Sequence, residues 1–127
     1  MAWLLLQSAL ASADECLLAG TWKSNEEKTL QNMKAVQLTE KQRKLFSNGF
    51  FGKLVIDYTC KGFTSTYEDM VETYQFISMK ESGRVVTTEY YEPSQKKNLL
   101  YTIEIIEGCY SLPIGKLGFN EVFCRVK

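Results

Sequence analysis

Among residues able to do chemistry, histidine is missing from this chain altogether. Histidine is the commonest general base and the usual partner of a nucleophilic Ser or Cys. Without one, the numerous Ser and Thr hydroxyls have nothing to activate them. Carboxylates stand side by side at Glu26/Glu27 and at Glu68/Asp69. The first pair opens a predicted helix, where negative charge suits the dipole, and the second falls at a predicted turn. Glycoside hydrolysis needs two carboxylates across a cleft, which adjacency does not supply. Gly115-x-x-Gly118 has no helix after it, so it makes no phosphate cradle. Cys16, Cys60, Cys109 and Cys124 include no Cys-x-x-Cys pair, so zinc ligation is a poor reading. An even cysteine count in a small domain reads instead as two disulfides formed in an oxidising compartment. The expectation is a chain that is not an enzyme and holds neither metal nor cofactor.

What remains is binding chemistry, and its carriers are aromatic. Tyr58, Tyr74, Phe76, Tyr90, Tyr101, Phe119 and Phe123 fall on predicted strands at positions expected to face a common interior. Such residues either pack on one another as a solid core or line a space for one small ligand. Glu121 shares a strand face with Phe119, Phe123 and Arg125, because side chains alternate along a strand. A buried Glu121–Arg125 pair is therefore an option.

The elements that must position these residues follow from periodicity and punctuation. Ser24-x-x-Glu27 and Thr39-x-x-Gln42 both fit a capping box. They predict helices over about 25–35 and 40–46, the second stopped by Asn48-Gly49. From Phe51 onward the pattern alternates with period two, broken at Lys61-Gly62, Glu81-Ser82-Gly83, Pro93-Ser94-Gln95, Gly108 and the stretch 113–118. With the strand predicted over 17–23, this gives a mainly β fold of about eight antiparallel strands in up-and-down order. Two short helices separate the first and second strands. Eight strands can close into a barrel, which removes exposed edges.

Residues 1–13 (MAWLLLQSALASA) are almost wholly apolar and end in a small-x-small pattern. They read as a signal peptide, shorter than usual and with no basic residue ahead of the apolar run, cut before Asp14. Residues 14–127 form one domain, secreted or periplasmic. Lys+Arg and Asp+Glu both number 15, so no one-signed field points to nucleic acid or an anionic membrane. The leader is too short to span a bilayer, and no stable membrane insertion is expected.

Gly20-Thr21-Trp22, in the run from Cys16 to Lys23, together with Arg125 near the C-terminus, resembles the lipocalin and fatty-acid-binding-protein (calycin) superfamily. The small, exported, bacterial-type members are the nearest in kind. The resemblance implies an up-and-down barrel closed by its first and last strands, with Arg125 stacked on Trp22 beside Gly20. It also implies a helix pair lidding one barrel mouth, as in fatty-acid-binding proteins. Those proteins hold a carboxylate with Arg-x-Tyr on the last strand, whereas this chain has Arg125-Val126-Lys127 and lacks the tyrosine. An uncharged or weakly polar ligand, entering at the helix pair, is the expectation if the barrel is a carrier. The other reading is an envelope interaction protein with a solid core, such as an inhibitor of an exported enzyme, presenting the loop 112–119. Counting strand reversals places all four cysteines at one barrel end. Adjacency of the first and last strands then favours Cys16–Cys124 with Cys60–Cys109.

Overall fold

The computed structural model describes residues 16–126; the segment 1–13, expected to be a signal peptide, lies outside the described residues. Its elements are β1 (Gly20–Ser24), α1 (Glu26–Lys34), α2 (Glu40–Ser47), β2 (Val55–Tyr58), β3 (Gly62–Tyr67), β4 (Met70–Ser82), β5 (Val85–Glu92), β6 (Lys97–Glu104), β7 (Cys109–Pro113) and β8 (Asn120–Arg125). The eight strands are antiparallel, in the spatial order β6-β5-β4-β3-β2-β1-β8-β7. The first and last strands pair directly, with Trp22 opposite Arg125 and Ser24 opposite Phe123. The barrel is nearly closed. Among the described residues its seam lies between β6 and β7, bridged there only by the isolated pair Ile106–Cys109 at the hairpin.

Glycine is required where backbones approach closely. A Cβ on Gly62 would lie 2.1 Å from the Tyr74 carbonyl, so β4 crosses β3 there only because the side chain is absent. The long β4 then changes partner. Its first half pairs with β3, and from Phe76 onward it pairs with β5. A bulge between Phe76 and Ser78 bends it at this corner, as extra residues in a ladder do.

The two helices are seated differently from each other. The Thr39/Gln42 capping box forms as expected, with Gln42 N donating to Thr39 Oγ1 and Thr39 N to Gln42 Oε1. The Ser24 box does not form. Ser24 is still in β1, and its hydroxyl is committed to Glu121 and Gly52; Asn25 caps α1 instead, accepting from Lys28 N. Helix α1 then takes the place of β1 along β8. Asn25 N donates to Val122 O, and Val122 N donates to the buried Thr29 hydroxyl. Among the described residues no helix is long and apolar enough to cross a membrane.

The disulfides differ from the expected pairing. Cys16 bonds Cys60, and Cys109 bonds Cys124, with Cα separations of 5.8 and 4.0 Å. Ladder register decides this. Cys109 and Cys124 are direct partners across β7–β8. Gly20 faces Tyr58 across β1–β2, so the chain just before β1 meets the chain just after β2. Strand β1 has two neighbours, and its N-terminal extension follows β2 rather than β8. Non-reducing peptide mapping of the native protein should recover Cys16–Cys60 and Cys109–Cys124; a Cys16–Cys124 peptide would contradict this register.

At the same barrel end the Arg125 guanidinium lies 4.3 Å from the Trp22 ring centroid. It donates to the carbonyls of Ala19 and Leu17, both at 2.7 Å. A Cβ at Gly20, where φ is +123°, would sit 3.0 Å from the same guanidinium. Arg125→Ala removes the stacking and two charge-assisted hydrogen bonds. A loss of about 2 kcal/mol is expected, visible as a fall of roughly 8 °C in melting temperature. Arg125→Lys should recover only part, because an ammonium lacks the planar fork that reaches both carbonyls. An unchanged melting temperature in Arg125→Ala would show that the chain ends do not hold the barrel.

Candidate functional site

Apolar side chains collect in two separate clusters. The barrel core contains Leu18, Trp22, Ile56, Tyr58, Val86, Ile103, Tyr110 and Phe123. A second cluster of Met33, Phe46, Phe51 and Phe119 lies under the helices, with Ile114 and Leu117 packed against it. The two helices therefore bury their apolar face among themselves and the loop before β8, outside the barrel core. This corrects Phe119 as a barrel-lining residue. It precedes the first residue of β8, and its ring contacts Phe46 and Phe51 at 5.7 and 6.1 Å.

Within the barrel, one half is solid. Trp22 is fully buried, donates its indole N–H to Leu18 O at 2.8 Å, and meets Tyr110 at 4.9 Å between ring centroids. Phe123 stacks on Tyr110 at 5.3 Å. It is interior, as expected, but it fills the core beside β1 and β7 and lines no space.

The other half is hollow. A cavity of about 80 Å³ is lined by Tyr58, Phe63, Phe76, Thr88, Tyr90, Tyr101, Ile103 and Leu112. Its walls come from β2 through β6 and, across the seam, from β7. None comes from a helix, which corrects the expected mouth at the helix pair: Tyr101 and Ile103 on one side and Leu112 on the other put the cavity against the β6–β7 seam. The expected residues Tyr58, Phe76, Tyr90 and Tyr101 are thus brought together. Tyr74 sits just outside the lining, stacked on Phe63 at 4.9 Å and tilted against Tyr90 at 5.1 Å between ring centroids. Its hydroxyl is held by Glu72 and by Glu92.

The sequence reading left out Phe63, Thr88, Ile103 and Leu112. Phe63 is cross-strand partner to both Tyr58 and Tyr74, so its inward direction follows once theirs is fixed. Thr88 and Ile103 lie two residues from Tyr90 and Tyr101, and strict alternation would have selected them.

The phenols of this region are neutral donors over a wide pH range. Burial, partly opposed by the hydrogen bond shared with Tyr110, pushes Tyr58 up to about 12. Burial also raises Tyr110 and Tyr90, and the Glu72 carboxylate raises Tyr74. No Lys or Arg lines the cavity. Arg125 is spent on the carbonyls of Ala19 and Leu17, so no Glu121–Arg125 pair forms. Glu121 instead accepts from Ser24 Oγ at 2.7 Å, which in turn accepts from Gly52 N. A larger concavity of about 370 Å³ runs outside the barrel between α1 and the β6–β7 hairpin. It is open to solvent and edged by Lys28, Gln31, Glu104 and Glu107, with nothing enclosed.

No protein-family model matches this chain, and neither a curated protein nor a solved structure shows significant similarity to it.

Burial lifts the Glu121 carboxyl above its ordinary value, and the Ser24 hydrogen bond opposes this in part. The folded state then holds this proton more tightly than the unfolded chain. Stability should fall as pH rises from the unfolded value, about 4.3, through the folded one, and the whole cost stands above it. Glu121→Gln keeps an oxygen for Ser24 and removes the charge. Its melting temperature at neutral pH should equal or exceed that of the parent, with a flatter decline above about pH 4. A variant that melts lower at neutral pH and declines as steeply would show that the carboxylate is stabilising.

Proposed function

We propose that this chain is a non-enzymatic, exported, lipocalin-like barrel that carries or captures one small apolar or weakly polar molecule. The observation that supports it is the small, partly open aromatic cavity on the β3–β6 side, present in a barrel whose other half is packed solid. Two disulfides support an oxidising compartment. The cavity's size speaks against a long-chain lipid. Sites for drug-sized ligands run to roughly 300–1,000 Å³, well above the 80 Å³ found here. A fatty acid would also meet no cation in the lining, because Arg125 lies outside it, held by the carbonyls of Ala19 and Leu17.

Binding is read by ligand-observed NMR or calorimetry with a single-ring probe such as toluene, followed by palmitate as competitor. Saturable probe binding at one site is expected, undisturbed by palmitate. Leu112→Phe places extra volume at the seam side of the cavity and should weaken the probe at least tenfold while the fold persists, at a stability cost of about 1–3 kcal/mol. Displacement by stoichiometric palmitate would contradict the ligand class. Absence of probe binding would favour an interaction protein with a solid core, and would turn attention to the loop between β7 and β8.

A further inference from the structure

The wall of the cavity carries four hydroxyls, on Tyr58, Thr88, Tyr90 and Tyr101, and Thr88 is the most deeply buried of these residues. Thr88 stands in mid-β5 at 3% exposure, on the inward face between Val86 and Tyr90. Its side chain makes no hydrogen bond among the described residues. Yet no sealed side-chain oxygen or nitrogen there lacks a partner. The Thr88 hydroxyl therefore borders open space, and that space is the cavity it lines. Tyr58 lies in the same lining and shares a 2.8 Å hydrogen bond with Tyr110. Two hydroxyls carry two protons and only one is used between them, so this pair keeps a donor in reserve.

An unbonded hydroxyl in an apolar wall costs free energy that a bound oxygen or nitrogen can recover. The walls accept a ring, since Phe63, Phe76, Tyr90 and Tyr101 present aromatic faces and edges about one small space. Neither charge sign is provided for. The lining has no Lys, Arg, Asp or Glu, and Glu72 and Glu92 behind Tyr74 would repel an anion. Resting on the binding-barrel reading above, we infer that the ligand is an uncharged single-ring molecule with one hydroxyl, a simple phenol, whose ring lies among these aromatics and whose oxygen meets Thr88 Oγ1.

Phenol and toluene have nearly the same shape and differ in this oxygen, so their affinity ratio isolates the polar contact. It is measured by calorimetry on the intact protein and on Thr88→Val and Thr88→Ser. The ratio favouring phenol should fall about three- to tenfold in Thr88→Val, the loss of one neutral hydrogen bond, and persist in Thr88→Ser. Methyl NMR of the unaltered protein gives a reading independent of any variant: the Thr88 methyl signal should move further with phenol than with toluene. An unchanged ratio in Thr88→Val, or equal methyl shifts, would overturn the assignment while leaving the barrel a binder of small rings. Failure of both probes to bind the unaltered protein would overturn the binding-barrel reading, and this assignment with it.

Discussion

A guanidinium laid over an indole holds the two ends of this chain together, and the barrel depends on that contact. Arg125 is cross-strand partner to Trp22, stacks on its ring, and reaches past Gly20 to the carbonyls of Ala19 and Leu17. Trp22 in turn donates to Leu18 O. The segment before β1 is therefore folded back over the barrel end, which brings Cys16 to Cys60. The cation covers an apolar ring while donating to two carbonyls and staying exposed to solvent, so no charge is buried unpaired.

Closing the barrel at β1–β8 fixes where it is solid and where it is hollow. Trp22, Tyr110 and Phe123 fill the space beside the closure. On the opposite side the sheet turns a corner at the β4 bulge, and β6 ends the ladder without a partner strand. Rings arriving at a corner from three strands meet at angles from stacked to perpendicular. Such rings cannot fill space as flat stacks do, and the small cavity lies among them. The helices do not cap it, because their apolar residues are consumed by Phe51, Phe119 and the loop before β8.

Much of this was readable from residue order. Period-two alternation and the Gly and Pro breaks marked the strands, and Gly20, Trp22 and Arg125 marked the closure. The Thr39/Gln42 pair announced α2. Details that depend on partners were not readable. The Ser24-x-x-Glu27 pattern is locally as good a capping box as the second, but Glu121, far along the chain, claims the Ser24 hydroxyl. Cysteine pairing turned on whether the chain before β1 follows β2 or β8, a choice between two true neighbours. Phe119 has the alternation of a strand residue, yet β8 starts one residue later. Thr88 was overlooked because a small polar side chain carries no hydrophobic signal, although it faces inward.

The closure and the seam make opposite demands on local stability, and residue-resolved amide hydrogen exchange measures both at once. Held by the clasp and by ladders on both sides, the amides of Trp22 and Ile56, with that of Phe123, should exchange only through global unfolding. Strand β6, paired on one side only, should open locally, so that Leu99–Ile103 exchange measurably faster. Protection in β6 equal to that in β1 and β8 would contradict an open seam. Faster exchange in β1 and β8 than in β6 would show that the Trp22–Arg125 contact does not close this barrel.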